Sequence, residues 1–284
     1  MINTGTLSLL TGITICLFLT ACLKKYEAND YAPSKPYGGY NSSAEIASNN
    51  LVARWAFDGN LTDSAGGLTG TNVGTTFTAG KKGQALQIGG SNYYLFNNPG
   101  TAISNLRAFT VAFWMNAPQN TSYGYGIFSL NNPADFWGSL DIYLDNGSSA
   151  DTAIFRVHIN NAGVGQFPGT KIGGAWGKWV HIAVTYDSSS TAGTNFNIYA
   201  NGTSVYSTLL KNGAANYGPL HFPNPTKMVI GTWQFQTNPS LTTAATSQSW
   251  AGSFGGALDE FRIYNKPLKA ADVSALFKLE SVGR

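Results

Sequence analysis

From Leu51 to Tyr264 the chain is a run of short β-forming segments, each closed by Gly, Asn, Ser or Thr, and that punctuation excludes most folds. Leu51-Val52-Ala53-Arg54-Trp55-Ala56-Phe57 alternates and stops at Asp58-Gly59-Asn60, a strong turn signal. Phe109 to Met115 is dense in β-formers. Ser139 to Asp145 and Ala153 to Ile159 read as a hairpin, as do Trp179 to Tyr186 and Asn195 to Ala200. Asn201-Gly202 then turns the chain into Ser204 to Thr208. Only Ala270 to Leu279 reads as a helix, with Val273, Leu276 and Phe277 on one face. No repeat of about 20 to 50 residues occurs, which removes propellers and solenoids. The expectation is an all-β, two-sheet antiparallel sandwich with a short C-terminal helix.

The N-terminus has a different character. Leu7 to Thr20 is an apolar run too short to span a membrane as a permanent helix. It ends in Leu19-Thr20-Ala21-Cys22, which resembles a bacterial lipobox, although Met1 to Thr6 carries no Lys or Arg. That resemblance implies a signal peptide over residues 1–21, lipidation at Cys22, and a membrane contact through the lipid alone. Leu23 in place of Asp implies sorting to the outer membrane, and Lys24-Lys25-Tyr26-Glu27 with Asp30 resembles a tag for the cell exterior. Residues 22–50, broken by Pro33, Pro36, Gly38 and Gly39, read as a lipidated N-terminus and flexible tether. Residues 51–284 remain as one domain of roughly 230 residues. Cys16 leaves with the signal and Cys22 takes the lipid, so the mature domain has no disulfide. The net charge of +3 is small and unclustered, which argues against a nucleic-acid surface, and the charge-poor composition suits neutral ligands.

Six motifs, in order, resemble the laminin G-like, concanavalin A-like lectin/glucanase group. Trp55 to Asn60 with Asp63-Ser64-Ala65-Gly66 is similar to its opening motif, Gly80 to Leu86 to the second and Phe109 to Trp114 to the third. Trp179 to Asp187 resembles the central strand and Asn197 to Gly202 the next hairpin. Gly256-Ala257-Leu258-Asp259-Glu260-Phe261-Arg262-Ile263-Tyr264-Asn265, with the helix after it, resembles the closing signature. The resemblance implies a jelly roll whose members bind glycans or proteins, while a minority cleave sugars; a shared fold does not choose among them.

Two sets of residues could carry chemistry. Asp58, Asn60 and Asp63 lie in an oxygen-rich loop, and Asp259 shares a strand face with Phe261 and Ile263, so its carboxylate should be buried or partnered. The resemblance places these motifs side by side around a structural calcium ion, which wants hard oxygens; the alternative is a plain turn with Asp259 bonded to backbone amides. The second set is aromatic. Tyr123, Tyr125 and Trp137 sit in one Gly/Asn/Pro-rich stretch, and Trp233, Phe235 and Trp250 flank a long loop. Exposed rings stack on pyranose faces, yet aromatics make up 13% of the chain and most must fill the core, so Trp137 and Trp233 stand open between binding and packing. On the strand Asp141-Ile142-Tyr143-Leu144-Asp145, the residues Asp141, Tyr143 and Asp145 share one face, read as sugar-binding or solvated.

Catalysis has little to rest on. Glu-x-Asp-x-x-Glu, carried by retaining glucanases of this fold, does not occur, and of the four Glu only Glu260 lies within the sandwich strands. Asp141 and Asp145 would be roughly 13 Å apart along a strand, too far for a retaining pair. His158, His181 and His221 show neither metal spacing nor a Ser/Asp partner motif. The sequence therefore reads as a non-catalytic, carbohydrate-binding surface lipoprotein. The alternative is a protein-interaction or adhesion module, or an accessory subunit of a cell-surface complex, with a glycoside hydrolase or lyase third.

Overall fold

The computed structural model describes residues 36–120 and 122–284. The signal segment, Cys22 and the tether up to residue 35 lie outside the described residues.

Two sheets form the sandwich. The back sheet runs Thr203–Thr208, Phe196–Ala200, Trp179–Tyr186, Phe109–Asn116, Ala257–Tyr264, Gln84–Gln87 and Thr76–Ala79, with Leu51–Trp55 also paired to Ala257–Tyr264. The front sheet runs Val164–Gln166, Thr152–Asn161, Leu140–Asp145, Gly124–Leu130, Met228–Ile230, Tyr93–Phe96 and Thr71–Val73. Gly169–Gly173 adds to Thr152–Asn161, and Ala251–Ser253 lies parallel to Gly124–Leu130. All other strand pairs in the two sheets are antiparallel, the expected jelly-roll sandwich. Asn201 and Gly202, at φ 49° and 75°, make the tight turn that their Asn-Gly pair predicts.

Alternation along each strand sends one set of side chains into the space between the sheets. Phe113 stacks on Phe261 at 5.2 Å, Phe128 lies 5.7 Å from the same ring, and Trp55 packs on Phe96 at 5.1 Å. Each large side chain so buried contributes about 1.5–3 kcal/mol.

The back sheet buries its outer face as well. The helix Ala270–Ser281 lays Val273, Leu276 and Leu279 over Ala112, Ala183 and Tyr199. Residues 37–50 are not free chain. Tyr37 and Tyr40 pair through their backbones, two 3-10 turns follow at Ser43–Glu45 and Ser48–Asn50, and Ile46 is buried in the same cluster. The tether reading therefore fails for this stretch, because the sheet and helix leave apolar surface that Tyr37, Tyr40 and Ile46 cover.

A second correction concerns the last strand. Glu260 adopts φ 48° and bulges, so the register slips between Asp259 and Arg262. Asp259 pairs with Trp114 and Arg262 with Ala112, both on the outer face, while Phe261 and Ile263 enter the core. Strict alternation would have put Asp259 with Phe261. The bulge turns Asp259 out toward the Lys82 amide and Arg262 under the helix. There Arg262 bonds Glu280 at 2.9 Å, Glu260 at 2.7 Å and Ser43 at 3.1 Å, while Arg54 grips Glu260 from the other side at 2.9 Å. Burial works to raise the Glu260 carboxyl, but Arg262, Arg54 and Lys82 together hold it below its ordinary value. Such a network fixes geometry more than it adds stability, because desolvation offsets much of the Coulomb gain.

Candidate functional site

The outer face of the front sheet carries polar rows across its strands. Ser129, Asp141 and His158 are opposite one another on three neighbouring strands, and Tyr143 is opposite Arg156 one step along. Leu140, Ile142 and Leu144 enter the core, as alternation requires. Two loops, residues 131–139 and 231–250, then fold over the polar face. Gly126 permits that approach: a Cβ there would sit 2.6 Å from the Trp233 nitrogen.

The loops convert much of the expected binding face into a layer of core. Trp233 and Phe235 are each 1% exposed and stack at 5.4 Å, and Tyr143 lies beneath Trp233 at 4.5 Å. Asp141 is also 1% exposed, so the solvated or sugar-facing reading fails for it. Its carboxylate accepts hydrogen bonds from the Ser129 hydroxyl at 2.5 Å and the Gly138 amide at 2.8 Å, and meets His158 Nδ1 at 3.1 Å. His158 thus has an acidic partner that the sequence did not reveal. Asp141 stands between Ser129 and His158, so this is no nucleophile–base pair.

What remains at the surface is a depression of about 480 Å³. Trp137 and Trp250, both half-buried, form its aromatic wall with the edge of Tyr143 and with Phe167, which is 42% exposed. Trp137 stacks on Tyr143 at 5.9 Å and meets Phe167 edge-on at 5.3 Å. Asp145, Asn146 and Arg156 complete the rim, and Arg156 Nε donates to Asp145 Oδ2 at 2.6 Å. Burial, with Asp145 and Asp141 nearby, pushes the Tyr143 phenol far up, so it stays a neutral hydroxyl. A larger hollow of about 770 Å³ around Tyr93 and Asn238 has neither a charged group nor a paired aromatic wall.

The loop bearing Trp137 is fixed from below. Buried Gln234 accepts from the Asn132 amide at 2.8 Å and donates to the Asp135 and Phe136 carbonyls at 2.9 Å. Gly138 must be glycine here, since a Cβ would lie 2.5 Å from Asp141 Oδ1 and 2.6 Å from the Leu130 carbonyl. The platform is therefore preorganised, which lowers the entropy cost of binding.

Of the expected ligand contacts, the structure gathers Trp137, Tyr143 and Trp250 at the depression. Trp233, Phe235 and Asp141 lie beneath it. Tyr125 points the other way, edge-on to Phe254 at 6.4 Å, and Tyr123 stands 50% exposed outside the lining. Arg156, Asn146 and Phe167 escaped the sequence reading. The register of the expected hairpin, which sets Arg156 opposite Tyr143, was the available signal for the first.

The candidate calcium residues divide in two. Asp63 accepts backbone amides of Arg54, Ala65, Gly66 and Leu68 at 2.8–3.1 Å, and Asn60 caps the Thr62 amide at 3.0 Å. Both serve their own loop and do not converge with the others. Asp58 and Asp259 border one turn: Asp58 accepts from the Gln84 amide at 2.8 Å and Asp259 Oδ2 from the Lys82 amide at 2.9 Å. Asp259 Oδ1 is buried without a hydrogen-bond partner, and burial, with Glu260 adding, raises its carboxyl to about 7 against the pull of the Lys82 amide. An orphaned oxygen beside a glycine-bounded turn fits a hard cation held by Asp58, Asp259 and backbone carbonyls. Among the described residues no group of three His, Cys, Asp or Glu converges, so side chains alone do not make the set.

Residues 88–224 match the concanavalin A-like lectin/glucanases superfamily. That stretch holds the central strands of both sheets and most of the depression's rim. Domain 4 of a GH43 extracellular arabinanase from Geobacillus stearothermophilus, in complex with arabinotriose, superposes with a TM-score of 0.54 at 20% identity, over 80% of this chain and 98% of that one. Botulinum neurotoxin type C, which depends on interaction with two ganglioside molecules to enter cells, gives 0.60 at 15% identity, over 84% and 53%. The binding domain of Paraclostridial Mosquitocidal Protein 1 gives 0.56 at 17% identity, over 81% and 52%. The chain spans about half the length of these toxin structures. At such identities the likeness is one of fold. No curated protein matches the sequence significantly.

Proposed function

We propose that this chain is a non-catalytic glycan-binding module held at the outer membrane by a lipid on Cys22 and facing the cell exterior. The observation that carries the binding role is the preorganised depression, in which Trp137, Trp250 and Phe167 offer ring faces and edges while Asp145, Asn146 and Arg156 offer acceptors and donors. Sugars need this combination, because a pyranose presents an apolar face and a ring of hydroxyls. Neighbours in fold that are complexed with arabinotriose or dependent on gangliosides support the same reading. The lining holds one carboxylate, that of Asp145, whereas glycoside hydrolysis by the usual routes takes two. Calcium bound at Asp58 and Asp259 would tie the opening loop to the last strand, a structural role. The experiment is retention of the full chain on a polysaccharide panel, wild type against Phe167→Ala, with polymer length followed. Loss of retention in the variant without shortening of the polymer supports the module. A panel that retains nothing moves the reading to a surface protein partner, for which the exposed Phe167 ring beside Arg156 has hot-spot chemistry. Labelling with a fatty acid that is lost in Cys22→Ser tests the anchor.

A further inference from the structure

Arg156 is the one cationic side chain lining the depression, in a chain with only 11% charged residues. Its contact with Asp145 uses Nε alone and sets the plane of the guanidinium. Among the described residues its two terminal nitrogens make no hydrogen bond, and 39% of the side chain is exposed. A planar fork of donors is thus left over in a depression whose other wall is aromatic. Lys171, exposed, is in register with Ile154, which is itself opposite Asp145, so a second positive charge lies on this face. At the depression itself Asp145 is the one carboxylate and it meets Arg156 through a single nitrogen, which leaves the terminal nitrogens turned to the opening.

We propose that the depression selects glycans that carry carboxylated sugars, with the sugar carboxylate received by the terminal nitrogens of Arg156 and the ring resting on Trp137, Trp250 and Phe167. This rests on the glycan-binding reading of the same site and narrows it, against the neutral ligands that overall composition suggests. A carboxylate matches the guanidinium because both are planar and can share two parallel charge-assisted hydrogen bonds. Asp145 serves as a positioning residue: it holds the guanidinium by one edge and leaves the other for the ligand. A neutral sugar could hydrogen-bond the terminal nitrogens but would not offer them the charge-assisted pair that a carboxylate does.

The test uses the full chain and three acidic polymers, polygalacturonate, alginate and hyaluronan, each beside its carboxyl-reduced form, with neutral arabinan and a sulfated dextran as controls. The expected result is retention of at least one acidic polymer, weakened about tenfold to a hundredfold by carboxyl reduction and by Arg156→Gln, the range for losing a charged hydrogen-bonding pair. Arg156→Lys restores charge without the fork and should recover only part of the binding, with melting temperature unchanged in both variants. Equal retention of native and reduced polymers, or of sulfated dextran and the acidic polymers, overturns the carboxylate assignment. So does retention of arabinan alone. In those cases loss of binding in Phe167→Ala leaves the glycan reading standing. Retention of no polymer, or retention indifferent to Phe167→Ala, defeats both.

Discussion

Replacing Asp259 by Asn keeps the shape of a buried side chain and removes its charge. In the folded protein the carboxyl titrates at about 7 against an ordinary 3.8, because burial penalises the anion and the Glu260 charge adds to this, outweighing the pull of the Lys82 amide. The fold therefore holds this proton more tightly than the unfolded chain does. Its contribution to stability is full below about pH 4 and is lost as pH rises to about 7. A shift of this size corresponds to roughly 4 kcal/mol. His181 acts in the opposite sense: buried, with Arg262 nearby, its pKa falls to about 3, so its contribution is full above pH 6.5 and fades toward acid. The two trends overlap in the wild type, but both proteins share His181, so subtracting one curve from the other isolates Asp259. In chelator, urea denaturation should show the Asn variant gaining on the wild type by up to about 4 kcal/mol between pH 4 and 7.5. Calcium should offset part of this, raising the wild type by about 2.7 kcal/mol at a hundredfold excess over Kd and leaving the variant unmoved. A stability difference independent of pH in chelator would refute the burial argument. Wild-type curves that coincide with and without calcium would refute the ion.

Other expectations follow from the same geometry. Trp233→Ala should cost about 3–5 kcal/mol of stability by urea denaturation, since a fully buried ring is emptied, whereas the exposed Phe167→Ala should leave the melting temperature nearly unchanged while weakening glycan retention. Gly138→Ala forces a Cβ against Asp141 and the Leu130 carbonyl and should both lower the melting temperature and loosen the Trp137 platform, seen as faster acrylamide quenching of tryptophan fluorescence. His181→Phe should flatten the loss of stability between pH 6.5 and 3, measured by denaturation across that range; a variant with the wild-type acid slope would remove His181 from the account.

The strands were the legible part of this chain because local chemistry sufficed for them. Trp179–Tyr186 runs between the residues that its β-formers mark, and Asn201-Gly202 turns where their tolerance of positive φ predicts. Three features depended on partners distant in sequence. Tyr37, Tyr40 and Ile46 are too sparse to form a periodic stripe, and they bury only because a helix more than 220 residues later presents Val273 and Leu276. Glu260 at φ 48° is an unusual bulge residue, held there by Arg54 and Arg262, and no local signal announces that Asp259 changes sides. Asp141 and Tyr143 do share the outer face, but the loops that bury them come from residues 131–139 and 231–250. Gly124 and Gly126, two glycines inside a strand, were the hint that another backbone passes close. Half of the aromatic set was thus legible as aromatic without being legible as exposed.

Sugar binding by the Trp137 depression is open to direct test. The most direct measurement is affinity electrophoresis of the full chain through gels cast with single polysaccharides, wild type beside Trp137→Ala and Phe167→Ala. Sugar binding at this site predicts retardation of the wild type by at least one polymer, loss of that retardation in both variants, and no change in polymer length. Retardation that survives both substitutions, or none in any gel, would contradict it.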